Sequence, residues 1–120
     1  MTREAGDEAR ELALQAAGLA AEKKAVDPVI IEVGKISIIA DYFLILSGSS
    51  TAQVHAICDH LMEKLKEAGH TLLREEGYRE GWWVVLDYGA VVIHVFRQDA
   101  RELYNLERLW SKAPVIAVGQ

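Results

Sequence analysis

The sequence predicts an α/β (α+β) domain, a mixed central β-sheet of about five strands with helices packed on it. Three observations carry this expectation. Apolar residues recur with helical spacing in two segments, one near the N-terminus and one mid-chain. Short runs rich in Val, Ile, Leu and aromatic residues lie between and after them, bounded by Gly, Asp or Ser. The resulting order, α-β-β-α-β-β-β-α, interleaves the two kinds of element and so brings helices back onto a sheet.

The first helix is expected over about Asp7 to Lys24, where Ala9, Leu12, Ala13, Ala16, Leu19 and Ala20 form one stripe. Asp27-Pro28 breaks it, and Val29 to Val33 follows as a short β-branched strand. Gly34 to Asp41 reads as a connection with an extended piece at Ile36 to Ile39. Tyr42 to Leu46 is apolar at every position, which places this strand centrally, covered on both faces. Ser47-Gly48-Ser49-Ser50-Thr51 ends it and offers N-caps for a second helix, about Thr51 to Ala68. Val54, Ile57, Cys58, Leu61 and Leu65 share one face of that helix, and Gly69 closes it. Leu72 to Glu76 is a short strand followed by a polar loop, Gly77 to Gly81. Trp82 to Tyr88 and Val91 to Phe96 flank Gly89-Ala90, a pattern that fits a type II′ hairpin. Asp99 and Glu102 have the spacing of a capping box for a last helix, Ala100 to about Trp110. Pro114 ends it, leaving Val115 to Val118 as a terminal strand or a loose tail. No repeat or linker interrupts the chain, so residues 1–120 are read as a single domain.

Composition narrows the function classes. With 120 residues and 51% hydrophobic content, the chain is long and apolar enough to bury roughly two-thirds of its unfolded surface, and its composition argues against disorder. A net charge of −5 argues against a protein that grips nucleic acid mainly through phosphates, and it suits a basic partner. One cysteine, Cys58, makes no internal disulfide and asks for no oxidising compartment. The charged N-terminus is unlike a secretory signal, and no apolar run nears the ~20 residues that span a bilayer. The expectation is a soluble cytoplasmic protein with no membrane partner.

The hairpin carries the most functional information. With a two-residue turn, Trp83 faces Phe96, Val85 faces His94 and Asp87 faces Val92 across the ladder. Alternation then sorts Trp82, Val84, Leu86, Tyr88, Val91, Ile93 and Val95 onto an apolar face that packs on helices. The other face holds Trp83, Val85, Asp87, Val92, His94 and Phe96. Two readings of it stay open. Aromatic residues mixed with polar ones are typical of protein–protein surfaces, with Trp a frequent anchor. Alternatively, Trp83 and Phe96 pack under the C-terminal helix while Asp87 and His94 satisfy each other.

No reaction class emerges. His55 and Cys58 lie three apart on one helix, but Cys58 sits in the apolar stripe and no orienting group accompanies the pair. His55, Asp59 and His60 share part of a helix surface, with no zinc-binding H-E-x-x-H pattern. An Asp87/His94 dyad has no placed nucleophile to serve. The Ser47-Gly48-Ser49-Ser50 loop lies where a phosphate would meet a helix N-terminus, yet it lacks the glycine-lysine signature of a P-loop. No catalytic residue, metal or cofactor is assigned.

The stretch Ala40-Asp41-Tyr42-Phe43-Leu44-Ile45-Leu46-Ser47-Gly48-Ser49-Ser50 resembles the A-D-Y-F-[VLI]-I-x-[ST]-G-x-S signature of the iojap-like ribosomal silencing factors. Further matches follow in the family's order: Gln53-Val54, Ile57, Glu76-Gly77, Trp83 to Gly89, Val92 to Phe96, and Arg101 to Trp110. The resemblance spans about residues 9–110, leaving 111–120 as a tail. It implies a non-enzymatic translation repressor that binds the large ribosomal subunit through its ribosomal protein number fourteen. Such factors block joining with the small subunit, lower translation under nutrient limitation, and are also linked to subunit maturation. The implied fold is nucleotidyltransferase-like without its catalytic residues. Gly48-Ser49 is present, but the only carboxylate near the expected offset is Asp59, on a helix. The alternative of a nucleotide-binding or nucleotidyltransferase-like enzyme would use these residues. The resemblance implies a partner surface around Trp83, and with the mixed face it gives Trp83, Val85, Asp87, Tyr88, His94 and Phe96 as candidates. Arg97, Arg101, Arg108 and Lys112 are candidates for rim contacts with ribosomal RNA, and the same face is a candidate for pairing two free copies. Many members have Gly-Asp in the hairpin turn, where this chain has Gly89-Ala90.

Overall fold

The computed structural model describes residues 5–116 and 118. Helix α1 (Ala5–Glu22) leads into strand β1 (Val26–Ile31), a 3₁₀ turn (Val33–Lys35) and strand β2 (Tyr42–Gly48). Helix α2 (Thr51–Glu67) is followed by β3 (Arg74–Glu76), β4 (Trp83–Asp87) and β5 (Val91–Arg97). Two short helices, α3 (Gln98–Tyr104) and α4 (Leu106–Leu109), precede β6 (Val115–Ile116). The strands form one mixed sheet in the order β3-β4-β5-β2-β1-β6, in which β2 and β5 run parallel and every other neighbouring pair is antiparallel. The sheet therefore has six strands rather than about five, because Val115 and Ile116 pair with Ile31 and Ile30 at the edge.

Helices α1 and α2 cover one face. Their apolar stripes, built on Ala13, Ala16, Ala20, Ile57, Leu61 and Leu65, meet Leu44, Leu46, Leu86, Ile93 and Val95. The alanines of α1 leave no bulk between that helix and the sheet. A second core lies on the opposite face, where Ala100, Leu106 and Ala113 close over Ile31, Phe43, Ile45 and Phe96. As expected, β2 is central, and all seven of its residues are buried.

Five local expectations give way. Strand β1 begins before Asp27-Pro28 instead of after it. The pairing slips between Val26 and Val29, and Asp27 takes φ +48°, a bulge that tolerates a residue without an N–H. Ile36 to Ile39 is not extended; Ser37 Oγ instead accepts a hydrogen bond from the Ile39 N–H in an exposed loop. The last helix is broken at Asn105, whose left-handed φ of +46° separates α3 from α4. The capping box does not form, because Asp99 instead binds the Arg97 guanidinium through both carboxylate oxygens at 2.8 and 2.9 Å. Trp82, expected on the helix-covered face, precedes β4 and packs with the opposite core, its ring 4.6 Å beneath the Arg97 guanidinium.

Candidate functional site

The hairpin forms as its sequence pattern requires. Gly89 takes φ +87°, and the Tyr88 N–H donates to the Val91 carbonyl at 2.9 Å. The register is Trp83 with Phe96, Val85 with His94 and Asp87 with Val92. Alternation sends these six side chains to the face away from α1 and α2. Helices α3 and α4 cover only part of that face, so Trp83, Val85, Asp87 and Val92 remain half-buried.

An aromatic stack organises the site. Phe96 is fully buried and forms its floor. Trp83 stacks on it with ring centres 4.9 Å apart and planes 26° from parallel. Tyr104 of α3 lies against the indole at 4.9 Å and stays 47% exposed. His94 sits at the level of Phe96, only 6% exposed, with the edge of Phe43 at 4.6 Å. Its Nδ1 accepts a hydrogen bond from the indole Nε1–H of Trp83 at 3.1 Å. Burial lowers the His94 pKa from 6.5 to about 4, so the ring is neutral, with its proton on Nε2.

Neither sequence reading of the polar pair describes what forms. Asp87 and His94 do not satisfy each other. Asp87 Oδ1 accepts the Gly89 N–H at 2.8 Å and clasps the turn, while His94 serves Trp83. Tyr88 projects to the opposite face and is buried in the core beneath the helices, so it shares no surface with Trp83. Phe96 and His94 lie beneath the surface rather than in it. The accessible part consists of Trp83, Val85 and Asp87, extended by residues that the sequence reading missed. Tyr104 continues the patch into an open groove of about 750 Å³ lined by Ile36, Leu103, Leu109, Arg108 and Lys112. Leu103 and Leu109 are 70% and 76% exposed. Their signal in the sequence is that they are large apolar residues off the buried stripe of their helices. Arg97 is tied to Asp99, and Arg101 to Glu107, Ser47 and the Val26 carbonyl, whereas Arg108 and Lys112 stand exposed on the groove.

The chemistry-bearing candidates are dispersed. Cys58 is fully buried, and desolvation pushes its thiol up to about 12. His55 stacks on Tyr78, with Nε2 2.6 Å from the Tyr78 carbonyl oxygen. Asp59 accepts from the Tyr78 hydroxyl at 2.7 Å, and His60 meets Glu22 at 2.8 Å. Among the described residues no group of three or more His, Cys, Asp or Glu is arranged to hold a metal ion. In the loop before α2, Ser50 Oγ caps the helix by accepting the Gln53 N–H at 3.1 Å. The Gln53 carboxamide oxygen takes the backbone N–H and hydroxyl of Ser49, and its nitrogen donates to the Lys24 carbonyl at 2.9 Å. The Ser49 donors and the Gln53 N–H are thus engaged within the protein. Among the described residues, no helix is long and apolar enough to cross a membrane.

Comparison with known proteins gives a consistent pattern. A family model described as "Ribosomal silencing factor during starvation" matches residues 6–120, a span that includes the segment beyond Trp110. The chain is similar to the ribosomal silencing factor RsfS of Halalkalibacterium halodurans, 44% identical over 107 residues that cover 89% of this chain and 92% of that protein. It is also similar to an X-ray crystal structure of a protein from Chromobacterium violaceum, with a TM-score of 0.79 at 33% identity, covering 94% of this chain and 92% of that one. A mouse protein named for mitochondrial assembly of the ribosomal large subunit is 34% identical over 93 residues, 75% of this chain and 41% of its own length.

Proposed function

From the premise that the chain belongs to the ribosomal silencing factor family, we propose that it represses translation by occupying the large ribosomal subunit. In this reading it docks on ribosomal protein number fourteen of that subunit and blocks joining with the small subunit, lowering translation under nutrient limitation in the cytoplasm. The name of the mouse relative supports a second role in large-subunit maturation. The observation that carries the reading is the half-open sheet face, where the half-buried Trp83 stacks on Phe96 and meets the exposed Tyr104, with Asp87 farther along the same face of the strand. A rigid aromatic anchor with a carboxylate on the same face fits a basic protein surface better than bare RNA. The net charge of −5 favours the same kind of partner, while Arg108 and Lys112 would touch ribosomal RNA at the rim. Without ribosomes, the same apolar patch would pair two copies, which light scattering at several concentrations detects.

Co-sedimentation with purified large subunits tests the anchor. Trp83→Ala is expected to bind about thirtyfold more weakly, the effect of losing a central Trp worth roughly 2 kcal/mol. Undiminished co-sedimentation of the folded variant would refute docking through this face.

A further inference from the structure

We propose that His94 is a positioning residue that locks the Trp83 indole in its docking orientation through Nδ1, an inference that rests on the docking reading above. The indole N–H can only donate, so at 3.1 Å it fixes His94 Nδ1 as the acceptor and leaves the imidazole proton on Nε2. That Nε2–H is buried and has no hydrogen-bond partner among the described residues. The histidine is therefore a costly choice for this position if its task is packing alone, since a phenyl ring would fill the space without burying a donor. What the imidazole adds is one acceptor, and Trp83 uses it.

The geometry explains why the acceptor matters. Stacking on Phe96 and contact with Tyr104 hold the indole plane, but neither contact prevents the ring from turning over within that plane's slot. A bond to Nε1 removes that freedom, because it marks one edge of an otherwise apolar ring. An anchor fixed before encounter loses less side-chain entropy on binding.

Two substitutions separate positioning from packing, because they change the acceptor and the volume in opposite ways. His94→Phe keeps a buried ring and removes the acceptor. His94→Asn keeps an acceptor at the position of Nδ1 and removes most of the ring. Thermal unfolding is expected to rank His94→Asn as the less stable variant. Binding to large subunits should rank in the reverse order, with His94→Phe about tenfold weaker than wild type and His94→Asn within threefold of it. In the wild-type protein the Trp83 indole N–H should exchange slowly with solvent by NMR, and in His94→Phe quickly.

If both variants bind as wild type while Trp83→Ala does not, the lock is overturned and docking through Trp83 stands. If both lose binding in step with their stability, His94 is a packing residue and the lock is again overturned. If Trp83→Ala itself binds normally, the docking reading fails. The lock is then judged on the indole N–H alone, and rapid exchange in the wild type overturns it.

Discussion

The two faces of the sheet are built from the same strands and reach opposite ends. On one, α1 and α2 bring two apolar stripes over the whole surface, and Val84, Leu86, Ile93 and Val95 are fully buried. On the other, α3 and α4 are seven and four residues long and pack over β2 and β5, leaving β4 half-covered. Alternating residues of one hairpin thus divide the work. One set holds the domain together, and the other keeps Trp83, Val85 and Asp87 partly in water. The difference predicts that stability and partner binding separate by face, and each experiment below tests that separation.

The largest effect on stability should come from the helix side. Leu61 is fully buried between α2 and the sheet, so Leu61→Ala is expected to cost about 2–5 kcal/mol, from lost burial and the cavity left behind. Urea denaturation measures this. Binding by the fraction that remains folded should be unchanged, and a specific loss of affinity would break the division between faces. Trp83→Ala is the reciprocal case, expected to lose affinity with a much smaller change in stability.

The open face also carries a pH dependence. Well above pH 6.5, His94 is neutral in both the folded and unfolded states, so it contributes no slope there. Between 6.5 and about 4 the unfolded chain takes up a proton that the buried ring refuses, so stability falls as pH falls. The full span corresponds to roughly 3 kcal/mol for a shift of this size. Asp99, whose carboxyl is held below its ordinary 3.8 by the hydrogen bond from Arg97, loses its contribution only at more acidic pH. Denaturation from pH 7 to 4 should show the slope in the wild type and a flatter profile in His94→Phe. An identical slope in both would assign it to other groups.

Features set by neighbours in sequence were legible, and features set by distant packing were not. The run Tyr42 to Leu46 reads as central because a strand covered on both faces has no polar side to show. The hairpin register follows from Gly89 and from alternation on either side of it. By contrast, nothing local to Asn105 announces that it leaves the helix, since Asn is tolerated both in helices and in the left-handed region. That break decides where α4 goes and leaves Leu103, Tyr104 and Leu109 exposed. The partner of His94 was hidden for a different reason. Asp87 and Trp83 both lie diagonally across the ladder from His94, and alternation alone does not say which of them it meets.

The smallest effect tests the loop before α2, where a polar cluster could be mistaken for a ligand site. Ser50 accepts the Gln53 N–H, so Ser50→Ala should cost about 1 kcal/mol, the usual value of an N-cap. Gln53 has a second task, joining Ser49 to the Lys24 carbonyl across the α1–β1 connection. If these polar groups serve only the fold, Ser50→Ala lowers the melting temperature and leaves binding to large subunits unaffected. A loss of subunit binding greater than the loss of stability would place the loop in the interface. The partner surface would then extend beyond the aromatic face, and the two-face division would need a third region at the carboxyl ends of β2 and β5.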